Sequence, residues 1–231
     1  MRPGDKSAVR HLDLFAGMSE QAFDALFEAA YLQRFPQGVQ LINEGDPADF
    51  LHVVLDGQVE MFATWNGRET AMMVLQPVST FILAAVLRDA VYLMSARTLE
   101  ASRILMLPAE KIRSVMMEDS ALAQAMIREL ATCYRQTIMN LKNQKLRTSA
   151  ERLANYLLRL HHRQQEETVI LPFDKRTLAS LLGMTPENLS RAFGALRPYG
   201  VEVNGRSIRL SRLDELERFA KPDPLIDVPS N

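Results

Sequence analysis

Residues 174–197, DKRTLASLLGMTPENLSRAFGALR, constrain the fold more than any other segment, because they predict two short amphipathic helices joined by a tight turn. Gly183 permits the positive φ that ends a helix, and Thr185 followed by Pro186 is a favourable start for the next one. The apolar positions recur at helical spacing on both sides of the turn: Leu178, Ala179, Leu181 and Leu182, then Leu189, Ala192, Phe193 and Leu196. Two helices arranged in this way present the second one to the major groove of DNA in many proteins. The alternative is an ordinary helical hairpin within a globular core.

The solvent side of the second helix carries groups suited to reading base edges. We predict a DNA-contacting set that also includes cations at the start of the first helix and in a later hairpin. Its members are Thr185, Glu187, Asn188, Ser190, Arg191, Lys175, Arg176 and Arg206.

The distribution of charge supports this interpretation. Residues 145–213 contain twelve basic and six acidic side chains, a net charge of +6, although the whole chain has a net charge of −1. A basic module on an acidic remainder is the electrostatic pattern expected of a domain that contacts DNA.

Other features exclude several classes of protein. Cys133 is the only cysteine, which excludes an intramolecular disulfide and a four-cysteine iron–sulfur cluster. No apolar run approaches 18 residues and no signal peptide is recognisable, so we expect a cytoplasmic protein without a membrane partner. The chain has no Ser-His-Asp set, no HExxH and no Walker loop, and we therefore expect no enzymatic activity.

Residues 39–107 predict short strands separated by turns. Asp56-Gly57 and Asn66-Gly67 are hairpin signals, and further strands are expected at 70–75 and 90–107. A helix capped by Ser19 precedes them. This pattern favours an antiparallel barrel or roll.

A short helix at 109–117 and a long one capped by Asp119 or Ser120 follow. The long helix has two adjoining faces, and we predict that one packs on its own barrel and the other on the same helix of a second subunit. The alternative is a core helix of a monomer. The predicted dimer seam steps by four and three residues, as in a coiled coil: Met126, Leu130, Cys133, Thr137, Asn140 and Gln144.

The remainder predicts a helix at 150–162, a strand at 169–171, the helix-turn-helix and a hairpin around Asn204-Gly205. That order is a winged helix-turn-helix. The predicted fold class is α+β, with a sensory β-roll at 1–107, a dimerisation helix at 108–147, a DNA-binding domain at 148–220 and a disordered tail at 221–231.

The chain resembles the CRP/FNR family of bacterial transcription regulators from about Phe15 to Leu216. Two segments carry the resemblance: EGDPADFLHVVLDGQVEMF in the barrel, and KRTLASLLGMTPENLSRAFGAL followed by VNGRSIRL in the DNA-binding part. The resemblance implies a homodimeric regulator that binds double-stranded DNA. It also implies contact with RNA polymerase, as in an activator of transcription. Glu187, Ser190 and Arg191 reproduce the FNR-like recognition set, which implies a palindrome near TTGAT-N4-ATCAA.

The sensing segment departs from the cyclic-nucleotide binders of this family. Their phosphate cassette begins Phe-x-Gly-Glu and ends Arg-Ser, whereas residues 81–96 here read FILAAVLRDAVYLMSA. Leu83, Ala84 and Met94 replace the glycine, the carboxylate and the arginine, and of the polar residues Ser95 alone remains. Because a phosphate needs a cation and a ribose needs the carboxylate, we do not expect cAMP to bind.

An apolar effector pocket is predicted instead. Its members are Leu83, Ala84, Ala85, Leu87, Met94, Ser95, Ile127, Tyr134 and Ile138. Some relatives with FNR-like recognition helices are nitric-oxide regulators that use haem, so His11, His52, Met94 and Cys133 are candidate axial ligands. The alternatives are another apolar effector, an effector-independent regulator, or a sensory barrel that acts through protein partners.

Overall fold

The computed structural model describes residues 3–227, and the chain divides within its longest helix into two compact units, Met1–Cys133 and Tyr134–Asn231. The first unit contains helices and two antiparallel sheets, and the second contains the helix-turn-helix with a small sheet. The predicted α+β class with an N-terminal β-roll, a long helix and a C-terminal winged helix-turn-helix is confirmed.

The N-terminal unit begins with two helices, α1 (Pro3–Arg10) and α2 (Glu20–Glu28). Ser19 caps α2 as predicted, because its hydroxyl accepts a hydrogen bond from the Ala22 amide. The strands that follow are β1 (Tyr31–Phe35), β2 (Gln40–Ile42), β3 (Phe50–Asp56), β4 (Val59–Trp65), β5 (Arg68–Leu75), β6 (Ser79–Phe81), β7 (Ser95–Thr98) and β8 (Ser102–Pro108). They form one sheet in the order β1-β8-β3-β6 and another in the order β2-β7-β4-β5. Apolar side chains of both sheets share one buried core.

The hairpin predicted at Asp56-Gly57 is wrong. β3 pairs with β6 and β8, and β4 pairs with β5 and β7, so the chain passes from one sheet to the other at Gly57. Gly57 has φ +84°, and a Cβ there would lie 2.3 Å from the Ser102 Oγ. The glycine is therefore required by a close approach to the start of β8. By contrast, the hairpin predicted at Asn66-Gly67 is confirmed, since Trp65 pairs with Arg68 across it.

The region expected to be extended at 90–107 contains two strands, β7 and β8, with a bend between them. A short helix, α3 (Leu83–Arg88), precedes them. The bend arises because the Leu99 amide donates to the Gln58 carbonyl, which lies at the crossing between the two sheets.

Two helices leave the β-roll, α4 (Ala109–Glu118) and the long α5 (Ser120–Leu146). Asp119 starts α5: its Oδ1 accepts from the Leu122 amide at 2.9 Å, and its Oδ2 accepts from the Ser19 amide and hydroxyl at 3.0 Å. One carboxylate thus joins the starts of α2 and α5.

The C-terminal unit contains α6 (Ser149–Gln164), β9 (Thr168–Ile170), α7 (Lys175–Leu181), α8 (Pro186–Leu196), β10 (Val201–Asn204), β11 (Ser207–Leu210), α9 (Leu213–Ala220) and α10 (Pro224–Asp227). The strands form a sheet in the order β10-β11-β9. A capping box between Thr148 and Glu151 starts α6. A separate apolar core holds α6, α8 and α9 against the sheet.

The prediction of disorder at 221–231 is wrong for residues 221–227, which include the helical turn α10. Asp227 in that turn forms ion pairs with Arg147 and Arg159, which composition alone does not reveal. Residues 228–231 lie outside the described part of the chain. Between residues 3 and 227, no helix combines the length and apolarity needed to cross a membrane.

Candidate nucleic-acid interface

The turn between α7 and α8 is fixed by side-chain caps at both helix starts. Asp174 Oδ1 accepts from the Thr177 amide at 2.7 Å, and Thr185 Oγ1 accepts from the Asn188 amide at 3.2 Å. Gly183 has φ +63°, which ends the first helix as predicted. The turn is therefore determined locally, and it sets the direction of α8.

Helix α8 has a buried apolar side and an exposed polar side, as the sequence predicted. Its apolar residues are buried in the core of the C-terminal unit. The predicted base-reading residues are exposed, and they are Thr185, Glu187, Asn188, Ser190 and Arg191. The Thr185 hydroxyl, the backbone at the helix start and Arg191 lower the pKa of Glu187. Glu187 is therefore ionised at neutral pH and accepts hydrogen bonds only, as recognition of a cytosine amino group requires.

A groove of about 340 Å³ lies beside this face. It is lined by the predicted cations Lys175 and Arg176 and by a third, Arg197, which the prediction did not include. Gly194 also lines the groove, and a Cβ added there would meet nothing within 4 Å. Three cations around an open groove next to a base-reading face match the chemistry of a backbone phosphate.

Arg197 was detectable in the sequence. Ser190, Gly194 and Arg197 are spaced i, i+4 and i+7, which places them on one side of a helix. The prediction missed Arg197 because the residues chosen around α8 stopped at Arg191, whereas Arg197 follows the last residue of that helix. Val203 of β10 also lines the groove, but no sequence pattern links it to α8.

Arg206 differs from the other predicted cations. Its Nε and Nη2 donate to the Leu171 carbonyl at 3.0 and 2.7 Å, so two of its donors hold the hairpin of β10 and β11 to the segment after β9. Arg206 therefore stabilises the position of the β10–β11 hairpin, which is the wing, and its remaining N–H donors could bind a phosphate.

In the β-roll, the residues of the predicted effector pocket do not share one environment. Leu83 and Ser95 are buried, Ala85, Leu87 and Met94 are partly buried, and Ala84 is exposed. The Ser95 hydroxyl accepts from the Glu44 amide at 2.9 Å. The one polar residue retained from the phosphate cassette is thus hydrogen-bonded to the backbone.

The basic side chains near the cassette are also committed elsewhere or exposed. Arg97 forms ion pairs with Glu60 at 2.7 Å and with Glu69 at 2.9 Å, and its guanidinium lies over the Phe62 ring. Arg88 is exposed at the end of α3. Neither arginine supplies the buried cation that a cyclic phosphate needs.

The two faces of α5 differ in part from their predicted roles. Met126, predicted in the dimer seam, is fully buried in the core of the N-terminal unit, and Leu130 packs against that core. The pocket candidates Ile127, Tyr134 and Ile138 are exposed. The prediction failed for Met126 because it adjoins Ile127, which is equally apolar, and only the packing on the β-roll distinguishes the two positions. The other seam candidates lie along α5 at exposed positions, and they are Cys133, Thr137, Asn140 and Gln144.

The candidate haem ligands do not form a ligand set. His52 is buried in β3 with its ring stacked on Phe81 at 4.9 Å, and burial lowers its pKa to about 4. His11 is exposed after α1, and the preceding Arg10 donates to the Met18 carbonyl. Partial burial and the Glu129 carboxylate raise the pKa of Cys133. Within residues 3–227, no cluster of three or more His, Cys, Asp or Glu side chains is placed to hold a metal ion.

Two domain families match the chain in the order that the fold requires. Residues 32–119 match the cyclic nucleotide-binding domain, and residues 151–219 match the Crp-like helix-turn-helix domain. The CRP-like cAMP-activated global transcriptional regulator of Mycobacterium tuberculosis (strain H37Rv) is 25% identical over 215 residues, which cover 90% of this chain and 96% of that protein.

Solved structures agree with these matches. A candidate cyclic nucleotide binding protein from Ruegeria pomeroyi DSS-3 is 30% identical, with a TM-score of 0.60, and the match covers 94% of this chain and 97% of that one. FixK2 from Bradyrhizobium japonicum is 20% identical with a TM-score of 0.70 and shares the fold over 87% of this chain and 99% of its own. The capped helix-turn-helix, the β-roll with its long helix and both domain matches lead to one conclusion: the chain belongs to the CRP/FNR family of DNA-binding transcription regulators, which is not a family of enzymes.

Proposed function

We propose that this protein is a homodimeric regulator that reads an FNR-like palindrome near TTGAT-N4-ATCAA and responds to an effector other than a cyclic nucleotide. The observation that carries the proposal is the exposed set Glu187, Ser190 and Arg191 on α8, beside a groove with three cations. Arg191 can form paired hydrogen bonds with guanine, Glu187 can accept from cytosine N4, and Ser190 can contact a thymine edge. The cations would hold the flanking phosphates and fix the register of α8.

Dimerisation is supported by the exposed apolar side of α5. Four large apolar residues are exposed at spacings of seven, four and three: Ile127 (63%), Tyr134 (68%), Ile138 (39%) and Leu141 (51%). Large apolar side chains in a helical stripe are costly to leave in water, and a second copy of the same helix would cover them. A twofold dimer then requires a palindrome whose half-sites are one helical turn apart.

The proposed division of labour follows from these features. Residues 1–107 would sense the effector, 108–147 would form the dimerisation element and 148–220 would bind DNA. Such a protein would act in the cytoplasm on promoters, with RNA polymerase as the partner that the family implies.

The proposed effector is not cAMP, although the similar regulator of Mycobacterium tuberculosis is named as cAMP-activated. Leu83, Ala84 and Met94 provide neither the carboxylate nor the cation of the family's cassette, and the Ser95 hydroxyl already accepts from Glu44. Haem is not part of the proposal, because the candidate ligand His52 is enclosed by β-sheet neighbours and its burial lowers its pKa. An effector-independent regulator is the second candidate, and it is favoured by the burial of Leu83 and Ser95, two residues of the predicted effector pocket.

The test measures binding of the purified protein to a fluorescent duplex carrying the palindrome and to a duplex with scrambled half-sites. Arg191→Ala should lower specific affinity by about 1–3 kcal/mol per half-site and should leave binding to the scrambled duplex nearly unchanged. Arg163→Ala, a charge-matched change outside the interface, is the control. Equal affinity of wild type and Arg191→Ala for the palindrome would overturn the base-reading role. In the same assay, cAMP should leave the affinity unchanged, and a saturable increase would contradict the effector proposal.

A further inference from the structure

The C-terminal segment 221–227 is bound to the junction between α5 and α6 by a buried carboxylate. Asp227 accepts from Arg147 Nη1 at 2.7 Å and, through its other oxygen, from Arg147 Nη2, and it accepts from Arg159 at 3.1 Å. The exposed fractions of the Arg147 and Asp227 side chains are only 7% and 10%. A bidentate arginine–carboxylate pair with so little exposure is a strong and geometrically specific contact.

The segment itself is shaped for this contact. The Asp223 amide donates to Asp227 Oδ2 at 2.8 Å, and the Leu225 amide donates to Asp223 Oδ1 at 2.8 Å, which closes the turn of α10. Lys142 also donates to the Leu225 carbonyl at 3.3 Å. The carboxylate is thus presented by a turn with its own hydrogen bonds and is not a chance meeting of surface charges.

Arg147 continues the connection toward the helix-turn-helix. Its carbonyl accepts from Arg152 Nη1 at 2.7 Å, and Arg152 Nε donates to the Leu182 carbonyl at 2.8 Å. Arg152 is itself buried. Leu182 immediately precedes Gly183, the residue at which the chain turns from α7 towards the DNA-reading helix α8. The Gln144 side chain approaches the same turn closely, since a Cβ added at Gly183 would lie 2.5 Å from its Oε1.

We propose that Asp227 is a positioning residue for the DNA-reading helix, acting through Arg147 and Arg152 on the turn at Leu182 and Gly183. This inference rests on the proposed function, since it assigns the tail a role in how well α8 meets its target. The matched helix-turn-helix domain spans residues 151–219, so Asp227 and Arg147 lie outside the part that the chain shares with that domain family, whereas Arg152 and the turn lie inside it. The tail would stiffen the junction from which the helix-turn-helix is held.

The physical basis is the cost of an unpaired buried charge. Burial of Asp227 opposes its ionisation, but the hydrogen bonds from Arg147 and the Asp223 amide prevail and hold its pKa below the ordinary value. Without that carboxylate, Arg147 and Arg159 face each other's charge without compensation. Repulsion between the two arginines then favours opening of the junction between α5 and α6. The Arg147 carbonyl, which accepts from Arg152, is no longer held in place.

The test compares Asp227→Asn, the conservative Asp227→Glu and the control Glu217→Gln, which removes an exposed carboxylate from neighbouring α9. Hydrogen exchange is measured at two turn amides, Gly183 and Met184, and at two sheet amides, Val169 and Ile208. We expect Asp227→Asn to speed exchange at the turn by about tenfold or more relative to the sheet, since local opening follows the loss of a buried pair. Asp227→Glu should restore most of the protection.

Affinity for the palindrome should fall by about 2- to 30-fold in Asp227→Asn, the range transmitted through packed networks, and should not change in Glu217→Gln. Exchange at the turn equal to that of the control would overturn the inference. An even increase at turn and sheet would also overturn it, because it would show a loss of stability without a positioning role. If the wild-type protein binds the palindrome no better than the scrambled duplex, the proposed function is wrong. The hydrogen-exchange comparison still tests whether Asp227 holds the turn at Gly183.

Discussion

Replacing Ile127 on α5 with alanine should weaken the proposed dimer by an amount that the exposure of this side chain defines. Full burial of an isoleucine side chain stabilises by about 1.5–3 kcal/mol. Ile127 is 63% exposed in the single chain, so covering it would contribute about 1–2 kcal/mol in each copy. Both copies lose this contribution, and the dimer should be weakened by about 2–4 kcal/mol, a 30- to 1000-fold increase in dissociation constant.

Sedimentation equilibrium over a wide concentration range measures this constant directly. Thr132→Ala is the matched control, because Thr132 is exposed on α5 and lies about 140° around the helix from Ile127. Its hydroxyl donates to the Arg128 carbonyl of the same helix. A dissociation constant for Ile127→Ala within threefold of the wild-type value would refute the assignment of this face to the dimer.

Two further predictions concern the N-terminal unit. Asp119→Ala should lower the free energy of unfolding by about 1–2 kcal/mol, because it removes the N-cap of α5 and its link to Ser19. Hydrogen bonds from the Leu122 and Ser19 amides hold the pKa of Asp119 below its ordinary value of 3.8, so its contribution is complete above that pH and is lost as the pH falls through the folded-state pKa. Urea titrations at pH 7 and pH 3 check both points, and an equal deficit at the two pH values would contradict them. Gly57→Ala should cost about 2–5 kcal/mol, because positive φ and a Cβ 2.3 Å from Ser102 Oγ add together. Gly38→Ala, also at positive φ but with open space around it, should cost only about 1–2 kcal/mol, and similar losses in the two variants would exclude the steric explanation.

The helix-turn-helix was predictable because its determinants are local. Asp174 and Thr185 cap the two helices from within three residues, and Gly183 takes the positive φ at the turn. Buried and exposed sides of α8 follow from its apolar spacing alone. The same local logic found the Ser19 cap and the hairpin at Asn66-Gly67.

Features that depend on distant partners were not predictable. Asp56-Gly57 has the composition of a hairpin, yet the sheet that each flanking strand joins is decided by β6, β7 and β8. The two stripes of α5 begin with adjoining apolar residues, Met126 and Ile127, and only the β-roll core selects Met126 for burial. Asp227 reaches Arg147 across 80 residues, a distance over which composition carries no information about pairing.

The most direct test of base reading is selection from a pool of duplexes with randomised sequence, using the full-length wild-type protein and Arg191→Ala in parallel. The wild-type protein should enrich a palindrome with two TTGAT-like half-sites one helical turn apart, and Arg191→Ala should lose preference at the guanine positions while retaining the spacing. Enrichment of no palindrome, or of the same half-site sequence by both proteins, would contradict the assignment of α8 and Arg191 to sequence recognition.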